Sequence, residues 1–479
     1  MPEPNASALN TTPKFTYEGL QKEYTDFSHP RAKVRLGDKE FDSIGKGMII
    51  NDIHVDLTAG YEASVASFRI YDVYDTARGE FRYDEISKQV LMGNSAEIRM
   101  GYIDKIKTVF KGFITGVAFA FETGGLPYIE VTAMDVKGVM MGGSYAKSLS
   151  EKTYGAAVKK IFEMSAGGEL LSLGGSEIDA TPDEKNSVGG EDKSSPVTFE
   201  MVGDSDYEFV VRAAKRYNYE FFVECGKVIF RPAKKDQSIL IKMGSRTGLQ
   251  NFNIQYSITG VVGKIEARAM DPGAGEVISV SRMFTNDISV GREAKKLVGK
   301  GAKVYLDASI SSKQDAESRV AALMEKMSYR LGSLEADCVG MPELLPGHFM
   351  EVDGMGAPAD NRFYISTVTH DFTSERGFAT HITGCAAKVV KPNPAEKAAD
   401  AVQEAQEEAA AAATGAAGAV TGGAGAAMGV GSGVVSGGAG IGSKVAGGFG
   451  VAGVAAATAL PAVAAAAAAG ALSASDEEE

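Results

Sequence analysis

The sequence predicts a mainly β protein of α+β type: two β-barrel domains flanking a small α/β domain, followed by a low-complexity Ala/Gly-rich C-terminal tail. Three observations lead there. Apolar and polar residues alternate with period two in many short runs between Gly and Pro punctuation, before residue 147 and again after 236. Residues 148–235 interrupt that pattern with apolar residues at helical spacing. From Ala409 to Ser475 Gly, Ala, Val and Ser dominate, a composition from which no core can be built.

Residues 1–30 read as an extended arm with helix potential only around Tyr17–Tyr24. The first barrel, 31–147, opens with the alternation of Val34 and Leu36 and continues through Met48–Leu57, Ala63–Ile70, Ala96–Tyr102, Thr108–Phe121 and Tyr128–Ala133. Gly101, Gly112, Gly116 and Gly124-Gly125 mark turns or bulges where a barrel bends. Tyr83–Met92 has room for one crossover helix. In the α/β domain, 148–235, Tyr154, Ala157, Val158, Ile161 and Phe162 form a helical stripe, and the Gly/Ser/acidic run 165–195 reads as a long surface loop. Ser205 and Glu208 then make a capping box for a helix with Phe209, Val210, Ala213, Ala214 and Tyr217 inward and Asn218 as a left-handed stop. Gly226, within Glu224-Cys225-Gly226-Lys227, marks a tight hairpin.

The second barrel, 236–390, is expected to carry one packed helix with Ala316, Val320, Leu323 and Met327 inward, capped at Ser311-x-x-Gln314; residues 274–303 read as irregular. Its last part holds Gly340-Met341-Pro342-Glu343-Leu344-Leu345-Pro346-Gly347, a turn-rich run. Alternating strands follow around Phe363–Phe372 and from Gly377-Phe378 through Thr380.

The wording of that stretch is specific. Gly340-x-Pro342-x-Leu344-x-Pro346-Gly347, a Gly354-x-Gly356 turn, Tyr364-x3-Val368-x-His370 and Gly377-Phe378-x-Thr380 resemble the late control D proteins and the amino-terminal hub of VgrG spikes. These are the baseplate hubs of contractile phage tails and contractile injection systems. Ser205-Asp206-Tyr207-Glu208-Phe209 with its hairpin, and Gly112–Gly116 followed by Ile129, Val131 and Asp135, resemble the same family. The resemblance covers about residues 30–388. It implies tube-like barrels, a homotrimer whose six barrels make a pseudo-sixfold ring, and contacts with a tail tube protein, other baseplate proteins and a spike. No OB-fold and needle follow the hub, so the spike is expected to be a separate chain. Within the motif, Gly340, Pro342, Pro346 and Gly347 are expected to form the turn, with Tyr364 and His370 as buried orienting groups.

Chemistry is not signalled. His348, His370 and His381 share a domain, but their spacing fits no metal motif. The acid pairs Asp204/Asp206 and Glu335/Asp337 fall in capping or turn positions, and no Gly-x-Ser-x-Gly elbow is present. Gly437-x4-Gly442-Ser443-Lys444 mimics a phosphate loop, but Ser and Lys stand in the wrong order and no strand precedes. The expectation is therefore no enzyme, no cofactor and no metal. Net charge is −13 with no basic cluster in the sequence, which argues against nucleic acid as a partner. Three widely spaced cysteines and a polar N-terminus predict reduced thiols and no signal peptide. Assembly in the bacterial cytoplasm, then incorporation into a tail or injection particle, follows from the resemblance.

The tail, 391–479, begins with a strong Ala/Glu helix former and carries Gly425, Gly429, Gly433 and Gly437 at intervals of four, a flat stripe if helical. Val445–Leu472 is uncharged over more than a membrane span, yet weakly apolar and interrupted by Pro461. A disordered or partner-ordered tail ranks first, packing inside an assembly second, membrane insertion last. The alternatives to a hub are a tail-tip cell-wall hydrolase and a delivered membrane-active protein acting through this tail.

Overall fold

Alternating side chains become strands because one face of each has apolar neighbours to pack on. In the computed structural model, which describes residues 12–389 other than 46, 122, 152, 165–173, 182–198, 271–274, 285–293, 308–309 and 311, the chain opens with helix α1 (Tyr17–Glu23), capped by the Thr16 hydroxyl. Strands β1 (Pro30–Leu36), β2 (Lys39–Asp42), β3 (Ile49–Thr58) and β4 (Val65–Tyr71) follow, then a small hairpin, β5 (Tyr74–Asp75) and β6 (Glu80–Phe81). β7 (Ser95–Tyr102), β8 (Lys105–Ala120) and β9 (Tyr128–Met134) complete the first half. Between them, where a crossover helix was expected, only Tyr83–Glu85 forms a single 3₁₀ turn. Ile86 and Val90 still drop into the core, so burial is met without a regular helix.

The middle of the chain forms α2 (Val136–Met140), β10 (Tyr145–Leu149), α3 (Tyr154–Met164), β11 (Ser176–Ile178), β12 (Phe199–Asp204), α4 (Asp206–Tyr217), β13 (Tyr219–Glu224) and β14 (Lys227–Pro232). The α3 stripe Ala157, Val158, Ile161 and Phe162 meets Phe209, Val210, Ala213 and Ala214 of α4 in one core. Asn218 ends α4 in the left-handed region. The run 165–195, expected as a loop, contains β11, which pairs in parallel with β14 and is fastened by Lys227 to Glu177 at 2.6 Å. Three residues are too few to show periodicity in sequence.

The remaining elements are β15 (Ile239–Met243), β16 (Leu249–Tyr256), β17 (Lys264–Met270), β18 (Val277–Met283), α5 (Ala294–Lys300), β19 (Ala302–Leu306), α6 (Lys313–Ser328), β20 (Gly332–Val339), β21 (Phe349–Val352), β22 (Asn361–Thr373) and β23 (Gly377–Ala386). Residues 274–303 are not irregular throughout: β18 pairs with β17, and α5 leads into β19. The three-stranded sheet β18-β17-β19 stands apart from the large sheet. Helix α6 covers it through Ala316, Val320, Met324 and Met327 against Ile265 and Ala267. α6 is capped by Ser312, one residue later than Ser311, with the Asp315 N–H donating to its hydroxyl.

Thirteen strands join in one sheet, ordered β16-β20-β23-β22-β3-β4-β9-β8-β7-β1-β2, with β21 on β22 and β15 on β21. The fold is thus mainly β, and the two halves expected as barrels share one sheet rather than forming separate bodies. They are joined where β22 pairs antiparallel with β3, from Thr367 opposite Thr58 to Phe372 opposite Ile53. One core runs through both halves: Val34, Phe68, Ile98 and Val131 from the first, Leu334, Phe363, Val368 and Ile382 from the second. The arm belongs to it as well. Lys14 and Phe15 donate backbone hydrogen bonds to Ile239 and Leu240 of β15, and Leu20 and Tyr24 are buried in the shared core. Among the described residues, no helix is long and apolar enough to cross a membrane. The tail stripe Gly425, Gly429, Gly433 and Gly437 lies outside the described residues.

Candidate assembly scaffold and surfaces

Gly340 to Gly347 leaves β20 and returns to β21 through the interior, so nearly every side chain in it is buried, Pro342 and Pro346 included. A buried turn must find partners for its backbone. Gly340 donates to Phe378 O and accepts from the Tyr102 hydroxyl at 2.9 Å; Gly347 donates to Ile365 O. The Met341 N–H donates to Thr380 Oγ1, and His370 Nε2 donates to Leu344 O at 3.1 Å. That last bond fixes the tautomer: Nδ1 accepts from Thr380 Oγ1 at 2.9 Å. Complete burial pushes the His370 imidazole down to about 4, so it is neutral and bridges turn to sheet.

The two glycines that bound the turn are there for contact. A Cβ on Gly340 would lie 2.2 Å from Phe378 Cγ, and one on Gly347 would lie 2.5 Å from Phe222 Cζ. Gly347 also has φ +88°, the left-handed region. Gly377, at φ +76°, closes the β22–β23 hairpin and places Phe378 against Tyr102 and His370.

Tyr364 leads to a cluster that sequence reasoning missed. Its hydroxyl donates to Glu220 Oε2 at 2.5 Å; Arg231 Nε donates to Glu220 Oε1 at 2.5 Å, and Arg231 Nη2 to Gly347 O at 3.0 Å. All three side chains are buried, and burial pushes the Tyr364 phenol well up from its ordinary value. β13 is covered on both faces, so Glu220 sits among Tyr219, Phe221 and Phe222 without the alternation that would mark it as inward. A second missed clamp is Glu343 inside the turn, which accepts from the Tyr24 hydroxyl at 2.5 Å and from Lys107 Nζ at 2.7 Å. The arm, the first half, the middle hairpin and the second half therefore all grip one turn.

In the middle domain, the Ser205 N–H donates to Glu208 Oε2 and the Glu208 N–H to Ser205 Oγ, a reciprocal capping box. Cys225 and Gly226 both take positive φ, as a two-residue hairpin requires. That hairpin carries Phe222 toward Gly347.

Outside, the face of the sheet that spans the β3–β22 join is polar. Asn251, Asp337, His381, Thr369 and Asp56 stand in line across five strands. His54 lies between Asp371 (2.6 Å) and Asp56 (2.9 Å), and its hydrogen bond to Asp371, then that to Asp56, raises it to about 10. The main path of the sheet ends in two edges, β16 and β2, each paired on one side only, while the branch ends at β15, whose other side is met by the arm at Lys14 and Phe15; Gln250 to Asn253 of β16 are exposed.

The residues considered for chemistry are dispersed. His370 is in the core, His381 bonds Asp337 on the polar face, and His348 stands between Glu224 and Asp236. Asp204 pairs with Arg212 and Asp206 with Lys147. Among the described residues, no group of three His, Cys, Asp or Glu side chains could hold a metal ion.

This architecture is one found in phage tail proteins. The structure is similar to the tail protein from Neisseria meningitidis MC58 (12% identity, TM-score 0.52, 75% of this chain and 97% of that one). It is also similar to the 43 kDa tail protein of prophage MuSo2 from Shewanella oneidensis (11% identity, TM-score 0.54, 74% and 98%). At such identities the likeness is one of fold. By sequence, the chain belongs to the family of the Alg8 N-terminal domain, whose model matches residues 42–374, from the end of β2 to just past β22. No curated protein matches the chain.

Proposed function

We propose that this chain is a structural baseplate hub, of the late control D and VgrG hub kind, in a phage tail or contractile injection particle. Three copies form a ring whose six barrel halves give pseudo-sixfold symmetry. One side meets the tail tube, and the other carries a separate spike protein among other baseplate proteins. Domain limits of 31–147, 148–235 and 236–390 describe its parts. The motif residues from Gly340 to Thr380 act as internal scaffold rather than contact surface, and the protein works by binding, not catalysis.

The observation that carries this reading is the continuous sheet. Fusing both halves through β3 and β22 makes one wall with an apolar inner face and a polar outer face, and leaves edges at β16 and β2. Open edges are satisfied when copies pair around a closed ring. The tail-protein fold supports the same reading.

The test is native mass by light scattering, for the full chain and for a chain ending at Lys391, alone and co-expressed with a tail tube protein and a spike protein. Three copies in both chains place assembly in the described fold. A protein that stays monomeric in all these mixtures refutes the hub.

A further inference from the structure

We propose that the groove bounded by helix α6, strand β18 and the end of helix α4 is a docking site for an acidic, amphipathic segment of a partner protein. The groove measures about 660 Å³. Its lining includes the apolar Phe284, Ala321, Ala322, Met324 and Tyr329 together with Arg282 and Lys388. Met and Ala leave space that aliphatic side chains can fill, and Met adapts to their shape.

Beside the groove, folding gathers cations that are far apart in sequence. Arg319, Lys326 and Arg330 follow one another on one side of α6 and just past its end, and Lys215 reaches them from the last turn of α4. They crowd each other: burial first, then Arg330, Lys215, Arg319 and Lys234, hold the Lys326 ammonium below its usual value. Arg319 is engaged by Asp307 at 3.1 Å and by the Lys215 carbonyl. Among the described residues, Lys215, Arg282, Lys326 and Arg330 form no salt bridge. Glu325 is the one carboxylate among the described lining residues. It is half-buried, burial raises its pKa, and it already accepts from Asn218 Nδ2 at 2.8 Å.

The chain has 62 acidic against 49 basic side chains, yet in this corner Asp307 is taken up by Arg319 and Glu325 by Asn218. Crowded like charges destabilise a fold, and an incoming carboxylate relieves them. The apolar lining and the overall −13 charge favour a short acidic protein segment over a polyanion such as nucleic acid, which the rest of the molecule repels at long range. This inference is independent of the hub reading.

The experiment is fluorescence anisotropy on the full chain with a labelled peptide of alternating Glu and Leu, its Gln-for-Glu counterpart, and a single-stranded oligonucleotide. The acidic peptide binds, more weakly as salt rises; the Gln peptide does not. The double variant Lys326→Glu/Arg330→Glu weakens binding about tenfold or more. Ala322→Phe, which fills part of the groove, weakens it by about threefold or more at unchanged charge. Lys88→Glu, an exposed reversal far along the chain, leaves it unchanged, and all variants keep the wild-type circular dichroism and melting profile. Equal affinity for wild type and the double variant overturns the site, as does failure of the acidic peptide to bind. An oligonucleotide that binds as tightly as the peptide, and is lost in the same variants, overturns the protein-segment assignment.

Discussion

Replacing Gly347 by Ala adds one methyl group at the tightest point of the clamp, and the structure separates its two effects. An L side chain held in the left-handed region costs about 1–2 kcal/mol. The new Cβ also meets Phe222 Cζ at 2.5 Å, and Phe222 is fully buried, so ring and turn must move apart. Overpacking of this sort costs about 1–3 kcal/mol, for a total of about 2–5 kcal/mol. Gly354→Ala is the comparison: φ is +79° there, but nothing lies within 4 Å of its Cβ, so only the conformational cost of about 1–2 kcal/mol applies. Urea unfolding followed by circular dichroism suits a chain without tryptophan. The expected order is wild type, Gly354→Ala, Gly347→Ala. Phe222→Leu in the Gly347→Ala background should restore part of the loss, with a coupling of about 1 kcal/mol or more. Equal losses for the two alanine variants, with no coupling to Phe222, would refute the close-approach argument. Gly347→Val, stiffer still, should disturb folding or assembly.

Glu220→Gln or Arg231→Met alone leaves a buried charge without its partner and should cost about 3–5 kcal/mol, whereas Glu220→Met/Arg231→Leu together should cost much less than the sum; urea unfolding of the set checks it. His370 has a folded pKa of about 4, below the ordinary 6.5, so the unfolded chain takes up the proton first on acidification. Its contribution is whole above about pH 6.5 and lost as pH falls toward 4, about 3 kcal/mol in all, and His370→Gln should remove that slope from a stability–pH series. His54 has the opposite sign: raised to about 10, its contribution is whole below about pH 6.5 and lost as pH rises toward 10. Because the pair is half-exposed, the effect on stability is small, and the direct check is an NMR titration in which Asp371→Asn moves the His54 midpoint downward.

What could be read in the sequence was local. Ser205 and Glu208 announce a helix start because both hydrogen bonds fall within four residues, and Gly226 announces a hairpin because glycine accepts positive φ freely. The α3 and α4 stripes are visible because each helix has one wet side. What could not be read was non-local or lacked an exposed face. Glu220 hides in a strand buried on both sides, and its partner Tyr364, like the Gly347 carbonyl that Arg231 reaches, comes from another part of the chain. β17, β18 and β19 were blurred into the second barrel because Val277, Met283 and Leu306 are exposed apolar residues that spoil the alternation. The cationic corner drew no notice because Lys215, Arg282 and Arg330 meet only after folding.

The join between the halves had no local signal either, and it decides how the molecule holds together. His54 and Asp371 are 317 positions apart, yet they face each other on the pair β3–β22. Two domains touching through side chains could separate at the cost of an interface. Here, separation would break a ladder of backbone hydrogen bonds, bare two new strand edges and open a core containing Val55 and Val368, both fully buried. The clamp on Gly340–Gly347 adds to this, since Tyr24 just after α1, Tyr102 of β7, Lys107 of β8, Arg231 of β14 and His370 of β22 all donate into it. The first half cannot finish folding before the last strands of the second are made, because β3 lacks its β22 neighbour until then. Contacts of such high sequence separation make folding slow, and they also make the described fold resist being pulled apart at any one linker.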